Sequence, residues 1–234
     1  MSTLLLRLAG PLQSWGDSSR FTRRETRAEP TKSGVLGLLA AAQGRRRTDP
    51  ILDLAELRFG VRIDQPGRLT RDFQTAIRWR DGKSMPLSYR YYLADAVFTA
   101  GVEGDDSLLR ALDAAIQYPV FPLYLGRRAC PAEGRVSLGV VGTDLLSSLR
   151  EVIWQASTWY RRSAGSQIAL DVFVDGDIDA SKSGERDTVR DVPVSFSPTR
   201  RDYAWREVLR AAPVLVDNPD GHDGMDFLAA LGGV

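Results

Sequence analysis

The sequence contains very few of the side chains on which enzyme chemistry and cofactor sites most often depend. Among 234 residues there is one cysteine, Cys130, and one histidine, His222. A single cysteine excludes an internal disulfide framework and any multi-cysteine zinc or iron–sulfur site, and it fits a reducing, cytoplasmic setting. A lone histidine in a Gly/Asp-rich tail is badly placed for a histidine-based triad or a two-histidine metal site. We therefore expect no metal and no other cofactor.

Long apolar runs are also missing. The longest, residues 35–42, is interrupted by Gly37 and falls far short of the roughly 20 residues that span a bilayer. Arg7 and Pro11 interrupt the only apolar stretch near the N-terminus, so it does not resemble a signal peptide. The sequence thus predicts a soluble intracellular protein without a membrane partner.

Lysine is scarce, and charge is unevenly distributed along the chain. The net charge is +1, and only three of the 31 cationic residues are lysines: Lys32, Lys83 and Lys182. Residues 1–90 carry 17 cations and 9 anions, whereas residues 91–234 carry 14 cations and 21 anions. A front half rich in arginine, whose planar guanidinium forms paired hydrogen bonds, suits a phosphate-bearing partner. The alternative is that genome composition inflates the arginine content.

The apolar pattern predicts an α+β fold. Strands are expected over residues 3–9, 57–63, 91–102 and 118–125, and the one over 57–63 is expected to be half-exposed. Helices are expected over residues 34–43 and 107–117, so that the order along the chain is strand, helix, strand, strand, helix, strand. This is the split βαβ order of a ferredoxin-like or RRM-type domain. Residues 64–90 lack a regular spacing of apolar residues. They predict a projecting β-hairpin, with Asp81-Gly82 as its turn.

We expect two parts, divided near residue 141. Residues 1–141 would form the ferredoxin-like RNA-binding domain, with the projecting hairpin at about 68–90. Residues 142–234 would form a smaller β-rich C-terminal part, with a helix over 145–154, strands over 168–174, 192–196 and 203–208, and a charged loop over 175–191.

The loop after the first strand offers candidate RNA contacts. Trp15 is placed to stack on a base, which is worth about 1–3 kcal/mol, while Gln13 reads a base edge beside Ser14. The alternative is a partly buried Trp15 that anchors the loop. Four arginines follow within eight residues and favour phosphate contacts: Arg20, Arg23, Arg24 and Arg27.

The start of the first helix is a second candidate. The segment PTKSG (30–34) lacks the glycines of a phosphate-binding Walker A loop, because Thr31 and Thr26 stand at their positions. Lys32, Ser33 and the free N–H groups of a helix start can still hold one phosphate. The alternative is an ordinary helix capped by Ser33. Gly34 and Gly37 are poor helix formers, which indicates that something packs closely against them.

The hairpin and a later glycine supply the remaining candidates. The hairpin interleaves aromatic residues with cations, among them Arg71, Arg78 and Arg90, as expected for insertion between nucleotides or docking on a neighbouring subunit. An ordinary surface hairpin is the alternative. After Gly126, where backbone can approach a ligand closely, Arg127 and Arg128 can bind phosphate.

The sequence gives little support for catalysis. Metal-free RNA cleavage needs a positioned acid–base pair, and the basic half contains no histidine. Asp175, Asp177 and Asp179 alternate without the spacing of a calcium loop, so we expect a solvated turn. Cys130, before Pro131, is expected to be a buried thiol in a turn.

Five blocks, in their order and spacing, carry a resemblance to a known family. They are GPLQSWG (10–16), PTKSGVLGLLAAAQG (30–44), RYYLADAVF (90–98), YLGRRACP (124–131), and VPVSF (192–196) followed by RRDY (200–203). Together they resemble the Cas-five (CasD) family of the type I-E CRISPR surveillance complex, Cascade. The resemblance covers most of the chain and is weakest over 142–190.

The resemblance implies a ferredoxin-like fold with a projecting thumb at about 68–90 and a non-catalytic role. Such a subunit holds the 5′ handle of the crRNA, caps the filament of backbone subunit CasC beside the large subunit CasA, and meets target DNA only through the complex. The handle-facing residues would be Gln13, Ser14, Trp15, Lys32, Ser33, Arg90, Arg127 and Arg128.

Two other functions stay open. Some relatives cleave repeat RNA with a Tyr/Lys/His set, so a metal-independent endoribonuclease is the main alternative, and a protein adaptor is the third possibility. The absence of histidine before His222 argues against cleavage.

Overall fold

The computed structural model describes residues 1–16, 23–178 and 184–222. These residues form a mixed α+β fold dominated by a large antiparallel sheet. The strands are β1 Ser2–Ala9, β2 Leu12–Gln13, β3 Arg23–Arg24, β4 Arg58–Gln65, β5 Arg68–Gln74, β6 Ser88–Ala94, β7 Val97–Gly104, β8 Ser137–Val141, β9 Gln167–Asp175, β10 Glu185–Ser195 and β11 Asp202–Asp217. The helices are α1 Lys32–Ala42, α2 Leu52–Ala55, α3 Asp106–Gln117, α4 Leu145–Glu151 and α5 Thr158–Ser163.

The main sheet has seven strands in the order β10-β11-β9-β4-β7-β1-β8. Strand β1, between β7 and β8, is apolar on both faces, since Leu4, Leu6 and Leu8 belong to the core that includes α1 and α3, whereas Leu5 packs with α4. Successive side chains of a strand point to opposite faces, so the run TLLLRLA supplies two cores at once. The predicted first strand is confirmed.

Three helices begin at side-chain caps. The side chain of Thr31 accepts a hydrogen bond from Gly34 N at the start of α1, and Asp105 and Asp144 do the same for α3 and α4. The helices predicted at 34–43 and 107–117 are confirmed, but Thr31 rather than Ser33 caps the first. The prediction of close packing is also confirmed, because Trp15 lies against Gly34 and Phe196 against Gly37.

Three predicted segments differ from the structure. Residues 118–125 form no strand, because Pro119 and Pro122 lack the N–H groups that a ladder needs; β8 takes the fourth position instead. The expected charged loop over 175–191 contains the start of β10, an edge strand in which most charged side chains face solvent. The second strand, β4, is almost wholly buried rather than half-exposed, because helices cover both faces of the sheet.

The projecting hairpin belongs to a second, smaller sheet. β5 pairs with β6 along its whole length, and β2 and β3 pair with the other side of β6. We call residues 68–94 the hairpin arm. The expected strand over 91–102 divides at Asp95, whose φ of 58° turns the chain from β6 into β7 and so into the main sheet. The predicted turn at Gly82 is confirmed by a φ of 67°.

The C-terminal strands continue the main sheet. β9 pairs with β4 at Gly60 and Val174, and β11 and β10 follow outward. The division expected near residue 141 stays a prediction. Over the described part of the chain, no helix has the length and apolar character needed to cross a membrane.

Candidate nucleic-acid interface

The loop after β1 is held from inside the protein. Gln13 is fully buried: its Nε2 donates to the carbonyls of Leu8 (3.1 Å) and Ala96 (2.7 Å), and its Oε1 accepts from Trp15 Nε1 at 3.0 Å. Trp15 is buried against α1. In this arrangement neither side chain can read or stack on a base, so that expectation is not met. The alternative, a tryptophan that anchors the loop, fits the structure.

Gly126 supports the same loop. A Cβ built on this glycine would lie 1.8 Å from the Ser14 carbonyl oxygen, and its φ is +82°. Ser14 N donates to Leu125 O at 3.1 Å, and Ser14 Oγ donates to Tyr91 O at 3.2 Å. The close approach expected at Gly126 is therefore made to the protein's own backbone rather than to a ligand.

The start of α1 is occupied by internal partners. The Asp191 carboxylate accepts from Lys32 N at 2.7 Å, and Lys32 Nζ pairs with Asp175 at 3.1 Å. Lys32, Ser33 and both aspartates are buried. The expected phosphate site at Lys32 and Ser33 is therefore closed in this structure, because a carboxylate of the protein takes the place that an anion would fill.

Arg206 joins the two aspartates. Its guanidinium donates to Asp191 at 2.6 and 3.0 Å and to Asp175 at 2.7 Å. Burial disfavours the charged guanidinium, but the hydrogen bonds and charges of the two carboxylates outweigh it and hold the pKa of Arg206 above its ordinary value. Asp175 thus lies in a buried ion-pair network and not in the expected solvated turn; Asp179 lies outside the described residues.

Arg127 positions the polypeptide around the base of the arm. Its guanidinium donates to the carbonyls of Tyr91 (3.1 Å), Arg24 (2.9 Å) and Glu25 (3.4 Å) and lies 4.7 Å from the centre of the Tyr92 ring. These contacts use several of its donors and tie the segment that follows residue 22 to β6. Arg128, beside it, is exposed.

Two arginines lie side by side where that segment meets the arm. Arg24 in β3 and Arg90 in β6 are register partners in a parallel pair, so their side chains share one face of the small sheet. Arg90 Nε is buried without a hydrogen-bond partner in the described chain, and Arg24 is exposed. Two cations side by side repel each other, and Asp72, the register partner of Arg90 in β5, offsets only one of them, so this pair is the candidate for an external anion.

The opposite face of the arm base is aromatic and cationic. Arg23 is the register partner of Tyr89, and its Nη2 lies 3.5 Å from the Tyr91 hydroxyl. Arg71 lies 5.3 Å from the centre of the Tyr89 ring, and the exposed Phe73 is paired with that tyrosine. We call Arg23, Arg24, Arg71 and Arg90 the arm-base cluster.

Two further predicted arginines pair with carboxylates of the protein. Arg78 pairs with Asp81 at 3.2 Å near the tip of the arm. Arg27 donates to Glu29 at 2.7 Å, and Arg20 lies outside the described residues. The sequence prediction gave no separate role to Tyr91; its alternation with Tyr89 on an exposed strand was the available signal.

Cys130 is buried, as expected, and burial raises the pKa of its thiol. In the described residues, no group of three or more His, Cys, Asp or Glu side chains is arranged to hold a metal ion.

Comparisons with known proteins identify the family. A family model described as CRISPR-associated protein (Cas_Cas5) matches residues 3–209. The Escherichia coli K12 protein named CRISPR system Cascade subunit CasD is 36% identical over 158 residues, which cover 59% of this chain and 70% of that protein.

Two solved structures are similar over nearly the whole chain. One, described as the crystal structure of a Cas protein, is 36% identical with a TM-score of 0.68 and covers 95% of this chain and 98% of its own. The other, described as a CRISPR RNA-guided surveillance complex, is 31% identical with a TM-score of 0.74 and covers 98% of this chain and 97% of its own. The resemblance in the five sequence blocks is thus confirmed, and the chain belongs to the Cas5 family of CRISPR-associated proteins.

Proposed function

We propose that this chain is a non-catalytic RNA-binding subunit of a CRISPR surveillance complex, in which it holds the 5′ handle of the crRNA. Support comes from the family, from a relative named as a Cascade subunit, and from a structural neighbour described as an RNA-guided surveillance complex. The observation that carries the site is the Arg24–Arg90 pair, two cations side by side on one face of the small sheet.

The mechanism is electrostatic, and the protein holds the binding side chains in fixed positions. The guanidinium groups of Arg24 and Arg90 bind backbone phosphates as paired donors, while Tyr89 and Tyr91 on the other face offer rings for splayed bases. Arg127 acts behind them, because its three backbone carbonyl contacts fix the position of Arg24 relative to β6. Arg127 is therefore a positioning residue in this proposal, and Gln13, Ser14 and Trp15 shape the loop from within.

The finer assignments belong to the same proposal. The strand order β4-β7-β1-β8, with α1 after β1 and α3 after β7, supports a ferredoxin-like unit within the larger sheet. The partners would be the backbone subunit CasC and the large subunit CasA in the cytoplasm, with target DNA reached through the complex. The exposed apolar side chains of the arm, such as Phe73 and Trp79, suit contact with a neighbouring subunit.

Non-catalytic binding is consistent with the separation of possible acid–base groups. His222 N donates to Ala164 O just before β9, whereas Lys32 pairs with Asp175 at the end of β9. The eight residue steps of that strand span about 26 Å, so these two side chains cannot act on one phosphate. Incubation of the protein with labelled repeat RNA in EDTA tests this point, and sequence-specific products would establish the endoribonuclease instead.

The binding site is tested by removing the two arginines together. We expect Arg24→Ala/Arg90→Ala to weaken binding of handle RNA and to lower the slope of log K against log salt by about 1.4, since each phosphate contact to a single strand contributes about 0.7. Arg110→Ala is the matched control, because Arg110 is exposed on α3 away from the arm. An unchanged salt slope in the double variant would sink the site assignment.

A further inference from the structure

A second surface of the molecule combines an exposed tryptophan with free positive charge. On α5, Trp159 is 58% exposed, and the preceding Ile153 is 81% exposed. Arg162 is also exposed, and among the described residues it has no ion-pair partner. Trp159 and Arg162 are three positions apart, so they lie on the same side of the helix. We call these two side chains the α5 platform.

We propose that the α5 platform binds single-stranded nucleic acid, with Trp159 stacking on a base and Arg162 binding the adjacent phosphate. The inference rests on the proposed function, and it adds a site that lies outside the arm-base cluster. An exposed aromatic ring beside a guanidinium is the combination that binds single strands without sequence preference.

The platform is rigidly held despite the shortness of its helix. Ser157, at the start of α5, donates from both N (3.0 Å) and Oγ (2.6 Å) to Gln65 Oε1. At the other end, Asn218 Nδ2 donates to the carbonyls of Arg161 and Gly165, each at 2.8 Å. A helix fixed at both ends presents its outer side chains in one orientation, which reduces the ordering cost of binding.

Most of this anchoring is made by residues other than Trp159. Its neighbour Tyr160 turns inward and meets Trp154 edge to face, with ring centres 6.3 Å apart. Trp154 in turn donates from Nε1 to Asp64 O at 2.7 Å. Trp159 itself makes one ring contact, edge to face with Tyr160 at 5.9 Å between ring centres, and more than half of its surface stays open to a ligand.

Position favours a nucleic acid over a protein partner. Arg150 and Arg162 are exposed here and Arg161 is half-buried, while the exposed acidic residues are Glu151 and, on either side of Asn218, Asp217 and Asp220. Gln65, which holds Ser157, ends β4 three residues before the arm begins at Arg68. The platform thus lies next to the segment that leads into the arm, so a strand that leaves the arm-base cluster can meet Trp159 and Arg162 next.

The strand can come from two sources, the guide RNA or a DNA strand, and one experiment distinguishes them. The full-length protein is titrated with labelled single-stranded RNA and DNA oligonucleotides of the same sequence. We expect Trp159→Ala to lower affinity about five- to tenfold, as loss of one stacked base implies. Trp159→Phe should retain most of the affinity, and Arg162→Ala should lower the salt slope by about 0.7.

Trp205→Ala is the matched control, since Trp205 is 65% exposed on β11, away from α5. Loss with RNA alone assigns the platform to the guide, loss with DNA alone assigns it to a DNA strand, and loss with both supports the shared chemistry. Equal affinity of Trp159→Ala and Trp205→Ala for both oligonucleotides contradicts the proposal that the α5 platform binds nucleic acid. So does a Trp159→Ala variant that loses a partner subunit from the assembled complex while both affinities stay unchanged.

The outcome is separable from that of the proposed function. If Arg24→Ala/Arg90→Ala loses RNA and Trp159→Ala loses nothing, the platform fails and the proposed function stands. If the unmodified protein and its assembled complex bind neither oligonucleotide, both fail. Matching thermal unfolding midpoints for Trp159→Ala and Trp205→Ala establish that any loss is one of binding.

Discussion

At the scale of single residues, Gly126 is required both for its backbone conformation and for the space around it, and mutation can separate the two requirements. Its φ of +82° disfavours any side chain, and a Cβ there would collide with the Ser14 backbone. Gly82 has a similar φ, +67°, but open space around it. Gly82→Ala should therefore cost about 1–2 kcal/mol for the backbone conformation alone. Gly126→Ala should cost about 1–3 kcal/mol more for the enforced shift of packed backbone.

Chemical denaturation of the two variants measures this difference. Equal losses of unfolding free energy would mean that the loop after β1 moves aside without cost and that Gly126 does not hold it.

Residue types were easier to predict from the sequence than their surroundings. The choice of Arg24 and Arg90 followed from charge and aromatic neighbours, and the structure places the two side by side. The roles of Trp15 and Lys32 could not be predicted in this way, because their burial depends on distant partners. Trp15 packs against Gly34, and Lys32 pairs with Asp175, 143 positions away.

At the scale of elements, the start of α1 depends on a carboxylate from β10. Asp191 caps Lys32 N and pairs with Arg206 inside the protein. Removing one partner leaves a buried charge uncompensated, so Asp191→Ala should lower the free energy of unfolding by about 3–5 kcal/mol. Arg186→Ala is the matched control, because its ion pair with Glu207 is exposed and worth about 1 kcal/mol or less.

Denaturant midpoints compare these two variants, and Asp191→Asn separates the parts of the effect. The amide keeps an acceptor for Lys32 N but loses the charge that faces Arg206. If Asp191→Ala costs no more than Arg186→Ala, the network contributes nothing beyond a surface pair.

The elements with strong local patterns were the ones predicted from the sequence. β1, α1, α3 and the hairpin arm have continuous apolar runs, helical spacing or a turn pair of their own. β8 was missed because it is only five residues long and Gly139, with a φ of +105°, interrupts it. The first part of β10, before the strand expected at 192–196, was missed because its charged side chains resemble those of a loop, and only pairing with β11 makes it a strand.

At the scale of the whole molecule, the sheet joins the two parts into which the sequence was divided. β4, from the first part, pairs with β9 from the second, and the buried Arg62 reaches the carbonyls of Leu149 (2.7 Å) and Val152 (2.8 Å). Phe59 N also donates to Asp175 at 2.9 Å. Such links distribute stability across the division near residue 141. They could not be predicted from the sequence, since strand pairing between distant segments leaves no local pattern.

These links predict that the full chain unfolds as one cooperative unit. Peptides from residues 1–141 and from 142–222 should lose hydrogen-exchange protection at the same denaturant concentration. Alkylation of the buried Cys130 thiol should begin at that same concentration, because burial both covers the thiol and raises its pKa. If the C-terminal strands lose protection first while Cys130 stays unreactive, the chain consists of two separable domains with a boundary near residue 141. In that case β4 keeps its place in the sheet without β9, and the buried links across the division contribute little to the stability of the first part.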